Sequence, residues 1–368
     1  MPRPTSPSGI LEWISRSTRP RAADASTLRF ERMASQSAAG MPGIHVPLDP
    51  RRPDHWRQRA LIWDYVLSLE GAHRVLDIGP GDGWPSLLLA PHCSEVVGIE
   101  PGPRRTAACR DNAARLRVAN ARFEEMSACA LGFRDASFDG VVAATSIEQT
   151  PEPAAALREA FRVLRPGGVL RMSFELLGDD PEPVREAVSV RRAVDGSYLV
   201  DYTATFSRAY EQRDFMIEVA PLSPAVERRL ASWAERCAGD EYPHRDPRLE
   251  RGLTRTILEL GPGDVRRARG LLLRHFRPDR LARTLAGLGF ADVRLIAGGG
   301  RPAEMLARDL VRAERIAAAA PLMDDLCRAC AVVGLALEDP RGGQVIARKP
   351  PRPAARRPAR APARGRRA

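Results

Sequence analysis

Residues 74–83 read Arg-Val-Leu-Asp-Ile-Gly-Pro-Gly-Asp-Gly. An apolar run halts at Asp77, and glycines follow at alternate positions, Gly79, Gly81 and Gly83. Val75, Leu76 and Ile78 suit a strand buried on both faces, as in a parallel sheet. The glycines permit a tight turn and let a ligand approach bare backbone. The segment Ser86 to Ala90 then opens a helix whose first amides face that ligand. The stretch therefore predicts an α/β chain that holds a nucleotide-like cofactor at the end of its first strand.

Spacing narrows the cofactor. A dinucleotide fingerprint needs G-x-G-x-x-G. Counted from Gly79, its third glycine falls at Trp84; counted from Gly81, it falls at Ser86. A phosphate-binding P-loop needs a lysine after its glycines, and none stands here. A second apolar run, Val96 to Ile99, ends at Glu100. A carboxylate there can accept from both hydroxyls of a ribose. The segments Ser137–Ala144 and Leu164–Leu170 read as a fourth strand and the turn into a fifth.

The pattern Asp-x-Gly-x-Gly-x-Gly resembles motif I of class I S-adenosylmethionine (SAM) methyltransferases. Residues 131–139, Leu-Gly-Phe-Arg-Asp-Ala-Ser-Phe-Asp, and 148–153, Glu-Gln-Thr-Pro-Glu-Pro, resemble the type 11 branch that includes quinone-biosynthesis enzymes. The resemblance covers roughly residues 55–175 and 278–297. It implies a doubly wound, Rossmann-like, seven-stranded, mostly parallel sheet and SAM as cofactor. It further implies that Asp77 anchors the methionine amino group, directly or through water, and that Gly79, Gly81 and Gly83 admit the cofactor. Glu100 would hold the ribose, Ser127 and Ala128 would flank the adenine, and Ser146 would face the methionine end. Two positions depart from the family. Ser127 stands where an acid usually holds the adenine amino group, and Gln149 stands where the branch has a histidine.

Five segments are expected: a flexible stretch over 1–50; a SAM-binding core over 51–177; an antiparallel β-plus-helix insert over 178–276, serving as substrate lid or interface; the rest of the core with a helical excursion over 277–348; and a basic disordered tail over 349–368. Asp54 to Leu69 reads as an amphipathic helix. Within the insert, Asp195-Gly196 predicts a two-residue hairpin turn leading into a three-stranded meander. A helix capped by Ser223 follows, then a polar loop at Asp246 and Pro247, and a further helix over 264–276. Tyr198, Val200, Tyr202, Ala204 and Phe206 fall on one strand face. They either line an acceptor pocket or pack the meander. Glu259 to Asp264 echoes the opening motif without its third glycine and reads as a turn before a helix.

The tail carries eight of the positive charges; without them the formal net charge falls from +11 to +3. Such a tail permits contact with nucleic acid, yet the Asp/Asn-Pro-Pro-aromatic strip of amino-directed base methylation and the Pro-Cys of cytosine chemistry are both absent. The favoured acceptor is therefore a small organic molecule. A nucleic-acid methyltransferase and a non-catalytic SAM-binding protein are the alternatives. The six cysteines are scattered, and the lone C-x-x-C at Cys327 and Cys330 lies in a helical stretch, so no metal is expected. No apolar window is long enough for a membrane span, and the cytoplasm is the expected compartment. No general base is assigned; His244, beside Tyr242 in the insert, is the candidate chosen for testing.

Overall fold

The computed structural model describes residues 8–28, 48–177, 184–193, 195–237 and 247–351. The chain opens with α1 (Ile10–Ser15), α2 (Ala25–Leu28) and α3 (Pro53–Ser68). Then come β1 (Arg74–Ile78), α4 (Ser86–Leu89), β2 (Glu95–Glu100), α5 (Pro103–Leu116), β3 (Ala121–Glu125) and β4 (Phe138–Ala144). The first half closes with α6 (Pro153–Val163) and β5 (Leu164–Ser173). The insert holds β6 (Arg185–Arg192), β7 (Tyr198–Phe206), β8 (Glu211–Val219), α7 (Pro224–Arg236), α8 (Pro247–Leu258) and β9 (Val265–Arg274). Finally come α9 (Pro278–Gly287), β10 (Ala291–Leu295), α10 (Gly300–Arg312), α11 (Ile316–Ala319), α12 (Met323–Ala336) and β11 (Gln344–Arg348). Prolines open α3, α5, α6, α7 and α9. Their missing N–H costs nothing at a helix start, and their fixed φ suits it.

A seven-stranded sheet takes the order β10-β11-β5-β4-β1-β2-β3. Only β11 runs antiparallel to its neighbours, β10 and β5. The doubly wound, mostly parallel sheet expected from the sequence is thus the fold of the core. Leu76, Val97, Val141 and Leu170 are fully buried on these central strands, because helices cover both faces. On one of those faces Ala156, Leu157, Ala160 and Val163 of α6 join the largest apolar cluster.

The insert is a second sheet of four antiparallel strands, β6-β7-β8-β9, rather than a three-stranded meander. The expected helix over 264–276 is replaced by β9, which pairs with β8 along its length. Leu271 and Leu273, two apart, are both buried, whereas a helix would turn them to different faces. The motif echo at Glu259–Asp264 is a turn, closed by Gly261 N donating to Asp264 Oδ2 at 2.8 Å, but it leads into this strand. The loop expected at 246–247 gives way at Pro247 to α8. The hairpin turn between β6 and β7 is longer than two residues: the strands end at Arg192 and Tyr198, and Ala193 N donates to Ser197 O at 2.8 Å.

The five-residue stripe of β7 is buried as the alternation implied. It packs with α1, α7 and α8 in a core of its own. Residues 1–50 were expected to be loose, yet Ile10, Leu11 and Ile14 of α1 are buried in that core. Lys349, at the start of the expected tail, is tied down: its Nζ donates to Phe161 O at 2.7 Å and Leu164 O at 2.8 Å. The rest of the tail beyond residue 351 lies outside the described residues, as do Tyr242 and His244. No described helix is long and apolar enough to cross a membrane, and no described cluster of His, Cys, Asp or Glu is suited to a metal ion.

Candidate cofactor-binding site

A cavity of about 390 Å³ opens at the carboxyl ends of β1, β2 and β4. Ligands in doubly wound sheets bind at that edge, and the size falls within the roughly 300–1,000 Å³ of small-molecule sites. Gly79, Gly81, Glu100, Ala128 and Ser146, all singled out from the sequence, line it. Asp77, Gly83 and Ser127 are not among its lining residues.

The loop after β1 needs its glycines for two different reasons. Gly79 has φ of +74°, and a Cβ there would sit 2.6 Å from Ser146 Cβ. Bare backbone therefore keeps the β1 loop against the β4 loop and leaves the cavity open between them. Gly83 serves packing instead: with φ of +120°, its Cβ would lie 2.5 Å from Leu87 Cδ1 on α4.

Two carboxylates flank the loop. Glu100 is buried, and its Oε1 accepts from Gly81 N at 2.6 Å, which fixes the side chain across the cavity wall. Asp77 lies beneath the loop, fully buried. Its Oδ2 accepts from Ser86 N at 3.0 Å and Ser86 Oγ at 2.6 Å, holding the start of α4. Among the described residues its Oδ1 has no partner. Burial, aided by the nearby charge of Glu100, pushes the Asp77 carboxyl up to about 8 against the Ser86 hydrogen bonds.

The other wall comes from the loop after β4. Ser146 Oγ donates to Ile78 O, joining the two loops. Thr145 takes φ of +50°, a conformation that non-glycine residues adopt at a cost. Gln149 Nε2 donates to Thr145 O at 2.8 Å and lines the cavity. Glu148 points away: it is buried, its Oε1 accepts from Glu175 N at 2.9 Å, and burial pushes it up to about 7. Ser127 caps a turn, with Cys129 N donating to its Oγ at 3.3 Å.

Sequence reasoning missed Asp24, Arg57, Gln58, Trp84 and Arg105, which also line the cavity. Arg57 and Gln58 follow Trp56 on α3, so the apolar stripe of that helix pointed to them as the next face. Arg105 lies in the first turn of the helix after Glu100. Asp24 gave no signal, because its segment reads as unstructured. Tyr198, Tyr202 and Tyr210, the described tyrosines of the insert, do not line the cavity. Tyr198 and Tyr202 are in the second core, and Tyr202 Oη donates to Glu186 Oε1 at 2.5 Å.

Residues 76–172 match the family model described as a methyltransferase domain. The match is confined to this segment, and the curated relatives that overlap it are methyltransferases. The chain is 36% identical over 138 residues to 27-O-demethylrifamycin SV methyltransferase of Amycolatopsis mediterranei, covering 37% of this chain and 51% of that one. It is 39% identical over 118 residues to demethylmenaquinone methyltransferase of Thermus thermophilus, covering 31% and 51%. The chain thus spans about half the length of these curated relatives. Among solved structures, SAM-bound CalS10, an amino pentose methyltransferase of Micromonospora echinaspora, aligns over 80% of this chain and 91% of that one, with 15% identity and a TM-score of 0.43.

The cofactor of this family is SAM, and the site fits it. A cationic, ribose-bearing molecule meets a glycine cradle that a Cβ would fill, a buried carboxylate on the wall, and a second beneath the floor with an unpartnered oxygen. Ile99, Pro101, Met126 and Ala128 supply the apolar end that a flat purine requires.

Proposed function

We propose that the chain is a SAM-dependent methyltransferase acting on a small organic acceptor, within EC 2.1.1.-. The observation that carries this reading is the pairing of the Gly79 cradle with Glu100, whose carboxylate is already fixed by Gly81 N at the edge of the cavity. When bound, SAM supplies an activated methyl group on a sulfonium leaving group. Glu100 accepts from the ribose hydroxyls. Asp77, buried beneath the loop, acts on the amino group from below rather than from the cavity wall, its unpartnered Oδ1 accepting there. Met126 and Ala128 flank the adenine, while the backbone at Gly79 and Ser146 borders the methionine end. The polar remainder of the cavity, with Gln58, Thr145 and Gln149, orients the acceptor and limits water there.

Titration calorimetry with SAM and with S-adenosylhomocysteine is the test. Saturable binding of both, lost or strongly weakened in Glu100→Ala, is expected; binding that ignores this substitution would refute the assignment. Gln149 in place of a histidine favours one further reading, a SAM-binding protein without transfer. Release of S-adenosylhomocysteine in the presence of a metabolite extract separates the two.

A further inference from the structure

The residues before α3 build a strap that reaches the cavity. Arg21 N donates to Gly270 O at 3.0 Å, and Leu272 N donates to Arg21 O at 2.9 Å, so the strap pairs with the free edge of β9. The approach is close: a Cβ on Gly270 would sit 2.7 Å from Pro20 Cα. Four residues after Arg21, Ala25 is buried against Leu271 and Leu273. These two anchors fix the residue between them, Asp24, on the wall of the cavity.

Asp24 is half-buried, and among the described residues its carboxylate has neither a hydrogen-bond donor nor a cationic partner. Its main-chain oxygen alone is engaged, by Thr27 Oγ1 at 2.9 Å. The other charges of the cavity, Asp82 in the glycine loop apart, stand beside groups of their own. Glu100 holds Gly81 N, Arg57 lies 3.9 Å from Glu304, and Arg105 borders Gly81. Burial raises the Asp24 carboxyl, as a charge without a partner in a partly dry site requires. A positively charged or N–H-donating ligand removes that cost, and a carboxylate ligand adds to it. Trp84 gives the same cavity an aromatic wall, to which a cation is also attracted.

We propose that Asp24 is the acceptor-recognising residue of this cavity and that the acceptor presents an amino group to it. This inference rests on the reading of the glycine-loop end as the SAM site. It assigns the acceptor end to a segment outside the methyltransferase domain proper, held in place by the insert.

The test uses the full chain and two small probes of similar shape, benzylamine and benzoate, titrated into the S-adenosylhomocysteine complex. Benzylamine is expected to bind and benzoate not. Asp24→Asn is expected to weaken benzylamine about fivefold to tenfold, the scale of a partly exposed charge pair. Asp24→Glu should restore part of that loss, and S-adenosylhomocysteine affinity should be unchanged in both variants. Equal benzylamine affinity in wild type and Asp24→Asn, tighter benzoate than benzylamine, or a fall in S-adenosylhomocysteine affinity in Asp24→Asn would each overturn the assignment. Failure of the wild type to bind S-adenosylhomocysteine is a separate outcome; it overturns the cofactor reading and this proposal with it.

Discussion

Replacing Asp77 by asparagine should stabilise the ligand-free protein at neutral pH and do nothing of the kind in acid. Burial pushes the Asp77 carboxyl from 3.8 up to about 8. Between these values the native state binds a proton at this position that the unfolded chain has released. Stability from this group is therefore fully present below pH 3.8 and declines as pH rises to about 8. Each pH unit in that window costs about 1.4 kcal/mol, so the loss by pH 7 reaches about 4 kcal/mol as an upper bound. The Asp77→Asn variant escapes that loss. The new amide oxygen can still accept from Ser86 N and Oγ, while the amide nitrogen occupies the position of the unpartnered Oδ1. A buried donor without an acceptor costs about 1–3 kcal/mol. The net gain at pH 7 is therefore about 1–3 kcal/mol. Near pH 4 the titration loss is almost gone while the donor's cost remains, so the variant should be less stable than wild type there by up to about 1–3 kcal/mol. Glu148 and Asp64, also raised by burial, add slopes of the same sign but cancel between the two proteins. Urea denaturation of both at pH 4.5, 7.0 and 8.5 is the assay. A stability difference that does not change with pH, or a variant less stable than wild type at pH 7, would refute the burial argument.

Three further substitutions probe the site. Glu100→Ala removes a charged acceptor from Gly81 N, and calorimetry should show SAM binding weakened about ten- to a hundredfold, since such bonds are worth about 1.5–3 kcal/mol. Gly79→Ala forces a Cβ to within 2.6 Å of Ser146 at φ of +74°; thermal denaturation should reveal a loss of about 1–3 kcal/mol. Gly270→Ala drives a Cβ against the Pro20 backbone. Hydrogen exchange at Arg21 and Leu272 should rise by tenfold or more, about 1.4 kcal/mol of local opening, while the amides of β1 keep their protection.

The glycine-loop end of the cavity was legible because its constraints are local. An acid, three glycines and a second acid after the next strand fix both the turn and the pocket edge within a few tens of residues. The Asp24 end of the cavity depends on contacts that no short window holds. Asp24 is placed by Gly270 and Leu271, far along the chain. β9 reads as a helix in the sequence because Arg266, Arg267, Arg269 and Arg274 surround a run of three leucines, which gives no clean period. Pairing with β8 decides it. α8 was hidden by Pro247 and Gly252, although Leu253, Thr256 and Ile257 are spaced for one buried face. Gly252 is a packing requirement, since a Cβ there would lie 2.9 Å from the ring of Trp233.

Each of the two additions to the core backs residues that line the cavity. Among its described residues the insert contributes no tyrosine to the wall; it supplies the β9 edge on which the Asp24 strap is laid. The helical excursion backs α3, which presents Arg57 and Gln58. Trp56 and Ala60 pack into Ala303, Ala307 and Cys327. Asp64 of the same helix accepts from Gly299 N at 3.0 Å and lies 3.8 Å from the buried guanidinium of Arg171 on β5. Burial pushes Asp64 up to about 6, so at neutral pH the carboxylate is still ionised opposite that arginine. The chain can bring Gly299 to this point only because Gly298 and Gly334 touch backbone to backbone; a Cβ on Gly334 would collide with the carbonyl of Gly298. Removing one member of such a buried pair leaves the other uncompensated, at a cost of about 3–5 kcal/mol. Asp64→Ala should therefore loosen α3 as a whole, and the cavity should lose affinity through Arg57 and Gln58 although residue 64 does not line it. A stable Asp64→Ala protein with unchanged SAM affinity would show that α3 holds its place without the excursion behind it.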